Sequence, residues 1–162
     1  MTNWERIVRE HGGMVFGTAW RVLGHAADCE DVVQEVFLEA HRLQQSQPVR
    51  NWPGLLRKLA TYRALDRLRQ RKEWQSLEGV ALATEEGPEA AAMRKELADR
   101  LRQVLPQLPQ REGMVFCLRY FEDLSYQQIG EIVDSSPGAV ATALHKARAK
   151  LETLLSGVVK GE

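Results

Sequence analysis

LSYQQIGEIVDSSPGAVATALHKARAKL, residues Leu124–Leu151, is the stretch from which the fold of this chain is read. Ser125 and Gln128 have the S-x-x-Q spacing of a capping box, which predicts a helix beginning at Ser125 with Ile129, Ile132 and Val133 on its apolar face. Asp134-Ser135-Ser136-Pro137 breaks that helix. Ser136 is the expected N-cap of the next one, with Pro137 at its first position. Val140, Leu144, Ala147, Leu151 and Leu155 then follow at spacings of four, three, four and four, one stripe of a 3.6-residue helix. Two short helices on a tight turn make a helix-turn-helix, whose second helix can enter a DNA major groove. A plain helical hairpin gives the same pattern, and on this stretch alone the two readings stand level.

Upstream, a helix from near Glu89 carries Leu97, Leu101, Val104 and Leu105 and ends at Pro106. Pro109–Glu112 opens another, packed through Val115, Leu118, Tyr120 and Phe121. Residues 75–93 are acidic, contain glycine and alanine, and lack a steady period, so they read as a flexible tether. The chain therefore divides into a first unit over 1–74, a linker over 75–93 and a second unit over 94–162. The expected class is all-α, two small helical domains on a flexible linker.

In the first unit, residues 2–23 form a plausible helix ended by Gly24, although Gly12-Gly13 interrupts its pattern. A second helix is expected from Asp28, with acids in its first turn. On a helical wheel Val32, Val33, Val36, Phe37 and Ala40 fall within about 140° and form the buried face. Asp31, Gln34, Glu35 and Arg42 lie opposite, with Leu38 among them. A lone exposed leucine is ordinarily of no consequence. Ringed by an amide and carboxylates, it can instead anchor a docking surface with a polar rim.

Trp52-Pro53 opens a third helix, expected to run to about Trp74. From Arg57 to Lys72 it holds seven basic residues and one acid, Asp66, a local charge of +6 in a chain whose 22 basic and 22 acidic residues cancel. Arg63, Arg67 and Arg71 recur every four residues, and the expectation is a face that tracks phosphates. A solvated charged face is the plainer alternative. Trp52, Tyr62 and Trp74 lie nearby, and aromatics beside a basic groove can stack unpaired bases.

No membrane insertion is expected, because there is no long apolar run, and MTNWERIVRE has no signal-peptide pattern. Cys29 and Cys117 are read as reduced thiols, which fits a cytoplasmic protein. His25 and Cys29 are two ligands without a third, so no metal and no cofactor is expected. No catalytic constellation is visible, and the chain is not read as an enzyme.

These pieces in this order resemble the sigma-70 family of bacterial RNA polymerase sigma factors, in its short two-domain extracytoplasmic-function (ECF) form. DCEDVVQEVFLEAHR (Asp28–Arg42) is similar to the family's core-polymerase-binding helix, and NWPGLLRKLATYRALDRLRQRK (Asn51–Lys72) to the segment that melts and reads the −10 promoter element. Leu108–Leu151 is similar to the domain that binds the −35 element. The resemblance implies core RNA polymerase and promoter DNA as partners. An anti-sigma factor is common in the family, though no residue here identifies one.

Carried onto this sequence, Asp31, Gln34 and Glu35 match the polymerase-binding signature, and Leu38 joins them on the wheel. Asp66, Arg67 and Arg69 match the end of the −10 segment. Arg50, Asn51, Trp52, Tyr62, Arg63 and Arg71 complete the expected −10 surface. The expected −35 surface comprises Ser125, Tyr126, Ser136, Gly138, Ala139, Thr142, His145, Lys146, Arg148 and Lys150. Many members carry arginine and asparagine where Thr61 and Tyr62 stand, basic residues at Ala141 and Ala143, and alanine at Gly130. The exposed face Ala139, Ala141, Thr142, Ala143 is expected to contribute position more than base selectivity. A stand-alone helix-turn-helix regulator is the alternative function, although nothing resembles a dimerisation helix.

Overall fold

The computed structural model describes residues 1–71 and 87–160, with side chains to 157. Seven α-helices and one 3₁₀ turn make up the described residues, without a strand. The first unit holds α1 (Asn3–Leu23), α2 (Ala26–Ser46) and α3 (Trp52–Gln70). The second holds α4 (Pro88–Val104), a 3₁₀ turn (Leu105–Gln107), α5 (Gln110–Tyr120), α6 (Tyr126–Val133) and α7 (Pro137–Lys160).

Caps set most of these boundaries. Thr2 and Glu5 form a capping box on α1, a T-x-x-E signal that stands openly in the sequence. The helix runs straight through Gly12-Gly13 and stops at Gly24, which takes φ +61°. Its C-cap glycine is needed there, since other residues are strained in the left-handed region. α2 starts two residues before the expected Asp28, because His25 acts as N-cap and its Nδ1 accepts the Asp28 N–H at 3.4 Å. Asn51 caps α3, its Oδ1 accepting the Gly54 N–H at 3.0 Å. α3 ends at Gln70, short of the expected Trp74, and Lys72 and Trp74 lie outside the described residues. The tether expected over 75–93 is helical from Pro88, and its earlier part lies outside the described residues.

The predicted apolar stripes are largely the buried ones. Val32, Val36, Phe37 and Ala40 of α2 are buried, as are Val140, Leu144, Ala147 and Leu151 of α7. Leu97 is a correction: it was expected in the core and is 57% exposed. Tyr120 also stays 45% exposed, its ring under the Arg148 guanidinium.

A small cluster of Val115, Leu118, Ile129, Val140 and Leu144 holds the helix-turn-helix together. The larger core belongs to both units at once. Val22, Leu23, Val36, Leu56 and Leu65 of the first unit pack in one continuous cluster with Val104, Leu105, Leu108, Met114, Cys117 and Leu151 of the second. The tether left the mutual placement of the units open; here they are packed together.

Both cysteines are free and buried. Burial raises the Cys29 thiol to about 11, and drives Cys117 higher still. Since the thiolate is the reactive form, iodoacetamide at pH 8 is expected to label neither in the native protein and both in urea. Mass spectrometry reads this directly, and rapid native labelling of either would contradict the packing.

Candidate partner-docking and nucleic-acid interface

The outer side of α2 is arranged as its wheel predicts except at Glu35, which turns toward α3. Asp31 and Gln34 are exposed, Glu35 is half-buried, and Leu38 stands 61% exposed. Leu38 borders a shallow hollow of ≈ 500 Å³ formed with Gln34, Phe37, His41 and Trp4. Trp4 comes from the start of α1 and meets the His41 ring edge-on, with centroids 4.9 Å apart. No periodicity within α2 could announce Trp4, because it arrives from another helix.

The basic stripe of α3 is the main correction. Arg63, Arg67 and Arg71 do share a face, but that face lies against α2 instead of opening to solvent. Arg63 donates to Glu39 from Nε (3.3 Å) and Nη2 (3.0 Å), with Glu35 at 3.9 Å. Arg67 donates to Glu35 at 2.6 Å and sits 3.5 Å from Asp31 and 3.7 Å from Asp28. Arg71 donates to Asp28 at 2.9 Å and to the Leu23 carbonyl at 3.3 Å, so it also caps the end of α1. Burial works against the Arg67 charge, yet Glu35, Asp31 and Asp28 outweigh it and hold its pKa above the ordinary arginine value. Three of the basic residues in the run, Arg63, Arg67 and Arg71, are therefore paired with Asp28, Asp31, Glu35 and Glu39 of α2. The wheel missed this because the partners lie 24–43 positions away in sequence.

What remains open to nucleic acid on the first unit is narrower. Arg50 and Lys58 are exposed, and Tyr62 is 41% exposed. Asn51 is exposed but occupied as a cap, and Trp52 is half-buried with its ring 5.9 Å from Trp4. Arg69 is half-buried, with Nη2 buried and unpartnered among the described residues. Lys58 was not singled out from the basic run by sequence; its exposure distinguishes it. Thr61 is fully buried, so it is not part of an open surface.

In the second unit the capping box forms as read: Ser125 Oγ accepts the Gln128 N–H at 3.1 Å, and Gln128 Oε1 accepts the Ser125 N–H at 2.8 Å. Tyr126 lies under the Arg119 guanidinium, 5.4 Å from the ring centre, while Arg119 donates to the Leu124 carbonyl at 2.9 Å. Arg119 thus ties α5 to the entry of the helix-turn-helix. α6 ends at Asp134, whose φ of +56° reverses the chain. A Cβ on Gly130 would drive into the Ser135 carbonyl oxygen, so the turn as built leaves no room for a side chain there. Ser136 Oγ then accepts the Ala139 N–H at 3.1 Å and starts α7.

Gly138, Ala139, Thr142, His145 and Lys146 are exposed along the first turns of α7. Thr142 already donates its hydroxyl to the Gly138 carbonyl at 3.1 Å, leaving an acceptor and a methyl outward. Ala143, expected on the exposed face, is buried at 8%. Arg148 is engaged by Tyr120, and Lys150 pairs with Glu112 at 2.9 Å, so neither is idle.

Two family models match the chain in this order: sigma-70 region 2 over residues 7–73 and sigma-70 region 4 over residues 98–151. The ECF RNA polymerase sigma factor SigW of Bacillus subtilis is 30% identical, over 92% of this chain and 87% of its own. The ECF sigma factor SigE of Mycolicibacterium smegmatis is 28% identical, over 96% of this chain and 63% of its own. The crystal structure of the Mycobacterium tuberculosis ECF sigma factor SigJ shares the fold, with a TM-score of 0.51 at 21% identity, over 89% of this chain and 50% of that one. A free-standing helix-turn-helix regulator has no use for the region 2 match. With sigma-70 regions 2 and 4 matched in family order, the chain belongs to the sigma-70 family as an ECF sigma factor, a protein that directs RNA polymerase to promoters.

Proposed function

We propose that Leu38, set in the hollow with Trp4, Phe37 and His41 and rimmed by Asp31, Gln34 and Glu35, is the apolar anchor by which this sigma factor holds core RNA polymerase. The observation that carries this reading is a leucine 61% exposed over an aromatic-lined depression. Burying such an anchor inside a polar rim is how a few residues supply most of an interface's affinity. On promoter DNA, Arg50, Lys58 and Tyr62 act at the −10 element, the two cations on phosphates and the phenol ring on an unstacked base. At the −35 element Ala139 and Thr142 offer methyl contacts to thymine, while His145 and Lys146 meet the backbone. The protein works without catalysis of its own, in the cytoplasm beside the polymerase. No residue on either surface points to an anti-sigma partner.

Leu38→Asp is expected to weaken core binding more than tenfold and to move stability by no more than about 0.5 kcal/mol, as for an exposed position. Pull-down with a cognate core enzyme, paired with run-off transcription, tests both. Unchanged binding and unchanged run-off would remove Leu38 from the interface.

A further inference from the structure

Arg148 and Lys150 flank the exposed side of α7 on opposite borders. At 3.6 residues per turn they lie roughly 160° apart around the helix, with Thr142, His145 and Lys146 between them. When such a helix sits in a major groove, its two borders meet the two opposing phosphate backbones. Both cations are held from α5, and the two grips differ in chemistry.

Lys150 Nζ donates to both oxygens of Glu112, at 2.9 and 3.0 Å. The Glu112 side chain is only 13% exposed, so this carboxylate is mostly desolvated and holds its cation more firmly than a surface pair does. A lysine so bound is neutralised. Drawing it to a phosphate would leave a largely buried charge without its partner, which is unfavourable.

Arg148 is held by a neutral group instead. Its Nε donates to the Tyr120 hydroxyl, and its guanidinium carbon stands 5.2 Å from the centre of the Tyr120 ring. That ring leans on Phe116, with centroids 4.8 Å apart, and Phe116 packs against the core of the helix-turn-helix. Among the described residues no carboxylate pairs with Arg148, and its Nη1 and Nη2 donors are unused. The platform therefore fixes the guanidinium plane while leaving its full charge and its outer donors in place. A planar pair of donors of this kind matches two oxygens of a phosphate. Holding it beforehand reduces the ordering that binding would otherwise require.

We infer that Tyr120 is a positioning residue that presents Arg148 to a phosphate of the −35 element, while Glu112 withholds Lys150, so that α7 grips the backbone along one border only. The inference rests on the −35 reading of α7 proposed above and adds which flanking cation is active.

Salt dependence separates the two cations, because each phosphate contact contributes about 0.9 to the slope of log affinity against log salt. Holoenzyme reconstituted with this chain is titrated on a duplex spanning its mapped promoter, and on a shorter duplex that keeps the −10 element and lacks the −35 element. On the longer duplex Arg148→Ala should weaken binding about tenfold and make the slope shallower by about one. Glu112→Gln should steepen the slope by about one through release of Lys150, and Glu112→Gln with Lys150→Gln should restore it. Tyr120→Phe keeps the ring and removes only the acceptor, so affinity should fall about threefold at unchanged slope. In an Arg148→Ala background that same change should have no effect on binding. On the shorter duplex every variant should match wild type. Circular dichroism checks that each is folded.

A Tyr120→Phe loss that persists without Arg148 would make Tyr120 a packing residue and overturn the inference, as would an Arg148→Ala slope equal to that of wild type. An unchanged slope in Glu112→Gln would overturn the one-sided grip. If wild-type holoenzyme binds the two duplexes alike, the −35 reading falls and the inference with it. If it separates them while Arg148→Ala behaves as wild type, the inference alone falls.

Discussion

Arg67→Ala is expected to destabilise the protein by about 2 kcal/mol and to weaken core polymerase binding together with it. Removing one partner of a buried ion pair costs roughly 3–5 kcal/mol, and the partial exposure of these groups lowers that figure. Arg67 is 26% exposed, and the variant would leave Asp28, Asp31 and Glu35 repelling one another along α2. Urea unfolding gives the stability, and core pull-down the affinity. A phosphate-contacting Arg67 predicts otherwise: intact stability, and a salt dependence of DNA binding shallower by about one counterion. The charge reversals separate further. Asp31→Lys, at a side chain 57% exposed, should spare the fold, whereas Glu35→Lys places a cation against Arg67 and Arg63 and should not. Equal stability of the two reversals would show that the α2–α3 lattice contributes little.

Gly130→Ala carries the second large effect, and its sign is unusual. Alanine in place of glycine inside a helix ordinarily adds up to about 1 kcal/mol of stability. Here the new methyl would collide with the Ser135 backbone, and the Ser135 N–H bond to the Gly130 carbonyl, 2.8 Å long, would have to give. A loss of about 2 kcal/mol is expected, as for overpacking. That is roughly 4–8 °C in melting temperature for a chain of this size. Gly12→Ala and Gly13→Ala are the internal controls, since their Cβ positions meet nothing within 4 Å and α1 should gain stability. A stabilised Gly130→Ala protein would mean that the turn can relax. The same variant should also impair −35 recognition, because the clash lies at the junction that sets α7 relative to α6.

The helices themselves were legible in the sequence because their signals are local. Ser125 with Gln128, Ser136 with Pro137, and the Val140–Leu151 stripe each lie within a turn or two, and each is built as read. The exposed side of α2, with Asp31, Gln34 and Leu38, was legible for the same reason. What the sequence hid depends on distant pairing. A wheel of α3 shows Arg63, Arg67 and Arg71 together but not the four carboxylates opposite them, so a structural lattice looked like a DNA surface. Leu97 fits an apolar stripe yet has nothing packed over it. Glu122 sits beside Asp123 just after α5, with no hint that its carboxylate is only 1% exposed. Burial of a charge is a property of two surfaces, and one stretch of sequence describes only one.

The lattice between α2 and α3 also bears on how such proteins can be recombined. Asp28, Asp31, Glu35 and Glu39 are matched in register to Arg71, Arg67 and Arg63, so the two helices form one unit of exchange. A chimera that takes α2 from a relative but keeps this α3 would inherit mismatched charges along the whole seam. Grafts cut before His25 and after Arg71 would carry the seam intact, and they would move the proposed docking and −10 surfaces together as a single inherited trait.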